Sequence, residues 1–131
     1  MKKVLVVDDS ALIHSMMKQV LSTVGDCKAE FARNGQEALD QIGRSGEPNL
    51  ILLDVNMPIM DGLECLDELR ARGITERVPV VLVTTEGQED DVRRGMAGGA
   101  KAYFKKPFDP IKLKAAIEKL LTPKVVAKPE E

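Results

Sequence analysis

The chain has little of what metal, redox and membrane proteins usually need. Among its 131 residues there are two cysteines and one histidine, too few for the four nitrogen or sulfur ligands of a zinc site. Cys27 and Cys65 are solitary rather than set in a C-x-x-C pair, and read as small, reduced, buried side chains. Long hydrophobic runs are missing too. Met1-Lys2-Lys3 leads into four apolar residues before Asp8, too short for a signal-peptide core or a membrane span. A cytoplasmic location with no membrane contact is therefore expected. A formal charge of −2 supplies no net basic field for a phosphate backbone, so nucleic acid is not expected as a direct partner. Neither G-x-G-x-x-G nor a P-loop follows the first apolar run, which argues against a nucleotide-binding enzyme.

What is present is an ordinary globular composition, 44% hydrophobic and 31% charged, at a length suited to one packed domain. Five apolar runs of strand length punctuate it: Val4 to Val7, Ala29 to Ala32, Leu50 to Leu53, Val78 to Val83 and Ala100 to Phe104. The first, third and fourth are nearly continuous in Val, Leu and Ile, the pattern of strands covered on both faces. Between them lie helical spacings. Leu12, Ile13, Met16, Met17, Val20 and Leu21 form one, Ala38, Leu39 and Ile42 the next, then Leu63, Leu66 and Leu69. The last carries Ile111, Leu113, Ala116, Ile117, Leu120 and Leu121. Ser10 and Asn34 stand where N-caps belong, Gly25, Gly46 and Gly73 where helices should stop, and Pro48 and Pro79 just before strands,. This alternation predicts a doubly wound (βα)5 α/β sandwich around a five-stranded parallel sheet. Residues 1–121 form the expected domain. From Thr122 to Glu131 Pro, Lys, Val and Glu follow without periodicity, which reads as a flexible tail or a truncated linker.

Ligands of open α/β sheets bind beyond the carboxyl ends of the strands, so the residues after each run carry the chemistry. The first run ends in Asp8-Asp9, the third in Asp54, the fourth in Thr84-Thr85 and the fifth in Lys105-Lys106-Pro107. Three converging carboxylates repel one another, and a hard divalent ion with oxygen ligands relieves this most simply. Magnesium fits, leaving room for a phosphoryl group between metal, Lys106 and the Thr84 hydroxyl. Asp54 is then the nucleophile, because carboxylates form acyl phosphates.

The set Asp8-Asp9, Asp54, Thr84 and Lys106-Pro107 resembles the full signature of the response-regulator receiver domain, from about Lys2 to Leu121. Two strings carry it most specifically, Asp54-Val55-Asn56-Met57-Pro58-Ile59-Met60-Asp61-Gly62 and Lys106-Pro107-Phe108. The pattern is most similar to the stand-alone chemotaxis, CheY-like, members of that family. The resemblance implies a flavodoxin-like strand order of 2-1-3-4-5. It implies that Asp9, Asp54 and the Asn56 backbone carbonyl ligate Mg2+ with Asp8 assisting, that Asp54 is the phosphoacceptor, and that Lys106 pairs with the phosphoryl group. Thr84 and Tyr103 would form the switch. Asn56 and Glu86 would tune dephosphorylation, and Thr85, with Val55, would alter access to Asp54. The Lys106-Pro107 peptide is expected to be cis. Implied partners are a sensor histidine kinase as phosphodonor, a phosphatase, and a downstream protein, such as the flagellar motor switch, on the surface of the fourth helix, fifth strand and fifth helix.

Singly, each of these residues has an ordinary explanation: Asp8-Asp9 as a loop and helix cap, Thr84 as a strand-end hydroxyl, Asp54 as a turn former, Lys106 as a solvated charge. Tyr103 alone reads as a packed strand aromatic, and His14 as a helix residue with no role. Together, at the ends of separate strands, they favour a signalling switch over two alternatives. An aspartyl-nucleophile phosphohydrolase would carry a second acid where Asn56 stands, plus an inserted cap. A non-phosphorylated interaction module would have no need of the complete site. The chain is expected to assist its own phosphorylation and dephosphorylation without being an enzyme that turns over a metabolite.

Overall fold

A computed structural model describes residues 1–85 and 89–122. Glu86 and residues 123–131 of the expected tail lie outside the described residues. The elements run β1 (Lys2–Val7), α1 (Ala11–Ser22), β2 (Cys27–Ala32), α2 (Gly35–Ser45), β3 (Leu50–Asp54), α3 (Gly62–Ala71), a 3-10 turn (Ile74–Glu76), β4 (Val80–Thr84), α4 (Glu89–Ala97), β5 (Ala102–Lys105) and α5 (Pro110–Leu121). The strands form one sheet in the order β2-β1-β3-β4-β5, and every neighbouring pair is parallel.

Side-chain alternation along the central strands splits the core into two layers. Leu5, Val7, Ile51, Leu53, Val80 and Leu82 face α2 and α3, packing on Ala38, Leu39, Leu66 and Leu69. Val4, Val6, Leu50, Leu52, Val81 and Val83 face α1 and α5, packing on Met17, Leu21, Leu113 and Ile117. All five residues of β3 and of β4 are buried, which is why those runs lack polar alternation. Helix starts follow the expected caps. The Ser10 and Asn34 side chains accept from the Ile13 and Glu37 N–H groups, Asp61 and Glu64 form a reciprocal capping box, and Asp109 caps α5 with Pro110 in its first turn,.

Three differences from the expected elements have local causes. Val78 is buried but precedes β4, because its N–H donates to the Ile74 carbonyl at 2.8 Å and closes the 3-10 turn instead of entering the sheet. Ala100 likewise precedes β5, its N–H donating to the Gly95 carbonyl at the end of α4. Leu12 and Ile111 keep helical apolar spacing, yet they are 69% and 80% exposed. Each lies in the first turn of its helix, at the carboxyl edge where the sheet no longer covers it. No helix among the described residues is long and apolar enough to cross a membrane.

Candidate functional site

Strand register assembles the site. Val7 pairs with Leu53, so Asp8 and Asp54, each one residue further along, stand side by side on adjacent strands, about 4.8 Å apart in the hydrogen-bonding direction. Thr84 pairs with Lys105, which puts Lys106 just beyond the same edge. Asp8, Asp9 and Asp54 thereby each offer a carboxylate oxygen, all within 4.8 Å of one another. Asp8 and Asp54 are buried, whereas Asp9 faces solvent.

The turn between β1 and α1 orients Asp8: the Ser10 N–H that begins the helix cap donates to Asp8 Oδ1 at 2.9 Å. Lys106 Nζ lies 2.8 Å from Asp8 Oδ2 and 3.3 Å from Asp54 Oδ1, bridging the two acids. The Lys106–Pro107 peptide is cis, as expected. Burial, and then the Asp8 charge, push the Asp54 carboxyl up to about 6. The Lys106 ammonium and the Asn56 backbone N–H pull it down without cancelling that rise. Burial would lower the pKa of Lys106, but its hydrogen bonds to Asp8 and Asp54 and their charges outweigh this and hold it above the usual lysine value,.

Thr84 is fully buried, and its hydroxyl has no hydrogen-bond partner among the described residues. An orphaned buried hydroxyl costs free energy unless something pairs with it. Asn56 and Thr85 are exposed at the same edge. Tyr103 is 46% exposed, not packed inside the sheet as a strand aromatic would be. The structure thus brings together Asp8, Asp9, Asp54 and Lys106, and leaves Tyr103 outside the cluster on an edge strand. The groove between α1 and α5, lined by Met16, Val20, Phe108 and Ile111 among others, contains none of these residues.

Two supporting residues were given no role from the sequence. His14, given no role above, packs against Phe31 with ring centroids 4.9 Å apart, and its Nε2 lies 2.6 Å from the Asp8 carbonyl oxygen. Nε2 therefore carries a proton and donates, tying α1 to the backbone of a site residue. The signal lay in the caps: with Ser10 as N-cap, residue 14 returns one turn into the helix toward residue 8. The second is Gly62, where a Cβ would stand 2.1 Å from the Asp54 carbonyl oxygen and 2.8 Å from Val55 Cα. Only glycine lets α3 start this close behind Asp54.

A doubly wound parallel sheet that gathers three acids, a lysine and a buried hydroxyl at its carboxyl edge has its polar cluster where such sheets bind ligands. The chain belongs to the response regulator receiver domain family, whose model matches residues 4–118. It is a CheY-like receiver domain of two-component systems. It is 36% identical to a chemotaxis protein CheY homolog of Campylobacter jejuni over 91% of this chain and 92% of that protein. A Rhodospirillum rubrum protein-glutamate methylesterase/protein-glutamine glutaminase is 42% identical over 97% of this chain, which spans 34% of that protein. Among solved structures, the chemotaxis protein CheY4 of Vibrio cholerae superposes with a TM-score of 0.81 at 34% identity, covering 92% of this chain and 98% of that one.

Proposed function

We propose that Asp54 is the phosphoacceptor of a signalling switch with residues 1–121 as its folded unit. The observation that carries this is the convergence of three carboxylate oxygens within 4.8 Å with the Lys106 ammonium 3.3 Å from Asp54. One Asp54 oxygen attacks the phosphorus of a phosphohistidine on a sensor kinase. The new P–O bond forms as the P–N bond breaks, its electron pair returning to the imidazole nitrogen, which takes a proton from solvent. The product is an acyl phosphate on Asp54.

The donor set suits a hard divalent cation such as Mg2+: all ligands are oxygens, two of the acids are buried, and exposed Asp9 leaves a side open to water,. Asp9, Asp54 and the Asn56 carbonyl would hold it, with Asp8 assisting, and it would neutralise charge spreading over the phosphoryl oxygens. Lys106 pairs with the same oxygens. The unpartnered Thr84 hydroxyl supplies a donor to the modified aspartate, and Tyr103 follows by turning inward. This changes the α4-β5-α5 face that a target protein reads. Asn56, Thr85 and Glu86 flank the acceptor and the switch threonine and set the lifetime of the acyl phosphate, including its removal by the domain itself or by a phosphatase. Similarity to CheY homologues over nearly their whole length supports a chemotactic output in the cytoplasm, with the flagellar motor switch as target.

Intact mass after incubation with Mg2+ and acetyl phosphate tests the acceptor. A gain of about 80 Da, one phosphoryl group, that disappears in Asp54→Asn and in chelated buffer is the expected result. If the mass stays unchanged under all conditions, the chain is instead a receiver-fold interaction module.

A further inference from the structure

The amino edge of the sheet, opposite the acid cluster, carries charge of the other sign. A cavity of about 690 Å3 lies there, lined by residues at the starts of β1, β4 and β5, the 3-10 turn and the end of α5. Lys2, Arg77, Lys101 and Lys119 line it, and Glu76 is the one acid among its described lining residues. On a chain of net charge −2, this is a local concentration made by the fold. Positions 2, 77, 101 and 119 meet because parallel strands all begin at one edge and α5 ends there. The cavity is separate from the phosphoacceptor chemistry, since β4, five residues long, puts about 17 Å between the two edges,.

Two of the four cations are already held in place. Arg77 donates to both Glu47 oxygens, from Nε at 3.0 Å and from Nη2 at 2.6 Å, so its charge is largely answered. Lys2 Nζ donates to the Leu121 carbonyl, which anchors an ammonium beside the cavity without neutralising it. Lys101 and Lys119 form no ion pair among the described residues. Three unneutralised ammonium groups repel one another around a concavity that concentrates their field. A multivalent anion relieves that repulsion. Phosphate suits it, because each group brings more than one charge and several acceptor oxygens to lysines acting as point charges. Pro79 and Leu120 add an apolar wall, and apolar lining with a few charged groups is the usual make-up of a small-molecule site. We propose that this cavity binds a small soluble molecule carrying two or more phosphates, with those groups between Lys2, Lys101 and Lys119 and its uncharged body against Pro79 and Leu120.

Isothermal titration calorimetry of the full chain with pyrophosphate and with GDP tests this, in chelated buffer so that no metal-bound phosphate forms at Asp54. At about 0.1 M salt, where charges are screened beyond about 10 Å, each probe is expected to bind once per chain with a dissociation constant below about 1 mM. GDP should bind the tighter, because its nucleoside adds contact with Pro79 and Leu120. The double variant Lys101→Gln with Lys119→Gln is expected to lose about tenfold or more in affinity for each probe. Its melting temperature without ligand should match the unmodified chain, both lysines being exposed. Lys114→Gln, on α5 but outside the cavity, and Asp54→Asn are expected to bind within about twofold of the unmodified chain. Binding of neither probe would overturn the proposal, as would full affinity in the double variant. An equal loss in Lys114→Gln would also overturn it, by showing diffuse attraction rather than a site, and a loss in Asp54→Asn would move the anion to the acid cluster. GDP binding no tighter than pyrophosphate would overturn the role given to the apolar wall.

Discussion

Strands β3 and β4 are buried along their whole length, yet the helices that follow them are held by different means. Helix α3 buries Leu63, Cys65, Leu66 and Leu69 and starts from a capping box, with Gly62 against the backbone of Asp54. Helix α4 buries only Gly95, where a Cβ would stand 2.2 Å from Leu82 Cδ1. Its exposed residues are mostly charged, with Glu89, Asp90 and Asp91 in the first turn. Side-chain interlocking fixes the unit that carries Asp54, whereas a bare backbone approach positions the helix that follows Thr84. The phosphoacceptor role proposed for Asp54 benefits from the first arrangement, because misplacement of a nucleophile slows transfer. The responding surface proposed around α4 benefits from the second, because few apolar contacts have to break for it to shift.

The largest expected effect tests that contrast directly. Leu66→Ala in α3 should destabilise the domain by about 2–5 kcal/mol, since Leu66 is fully enclosed in the core,. Val92→Ala, at a half-buried position of α4, should lose less than about 1 kcal/mol. Urea unfolding of both variants decides it, and similar losses would break the comparison.

A somewhat smaller effect lies at Asp54. Its folded carboxyl sits at about 6 against an ordinary 3.8, so between those pH values the folded protein keeps a proton that the unfolded chain has released. Stability therefore falls as pH rises through about 4 to 6, and the full penalty remains above that window. In chelated buffer, Asp54→Asn is expected to stabilise the domain at pH 7 by on the order of 2–3 kcal/mol, with the gain vanishing near pH 4. Melting curves across that range would read it. A gain independent of pH would mean that packing rather than charge is responsible.

The smallest concerns the β4 side. Thr84→Val replaces an unpartnered buried hydroxyl with a methyl of similar shape, and should leave unphosphorylated stability unchanged or raise it by about 1 kcal/mol. A loss above about 1 kcal/mol, measured by urea unfolding, would show that the hydroxyl is already engaged.

Much of this was legible in the residues. Continuous Val, Leu and Ile runs marked the buried strands, Ser10 and Asn34 marked two helix starts, and the residue after each run named the acids and the lysine. The fourth helix was not legible through apolar spacing, because its seat is Gly95 and a glycine leaves no hydrophobic signal. Leu12 and Ile111 matched the apolar stripes but are exposed, since periodicity reports a helix face and not where the sheet beneath it ends. His14 was read as having no role because its partner is a backbone carbonyl, which no residue type announces.

The sequence by itself determined the alternation of strands and helices and which residues fall at strand ends, because both follow from local periodicity and capping chemistry. Only the tertiary structure decided the distances of 2.8 and 3.3 Å from Lys106 to the two acids, the orphaned Thr84 hydroxyl and the close approach of Gly62 to the Asp54 backbone. Those depend on strand register and on hydrogen bonds between segments far apart in the chain, for which local sequence carries no term.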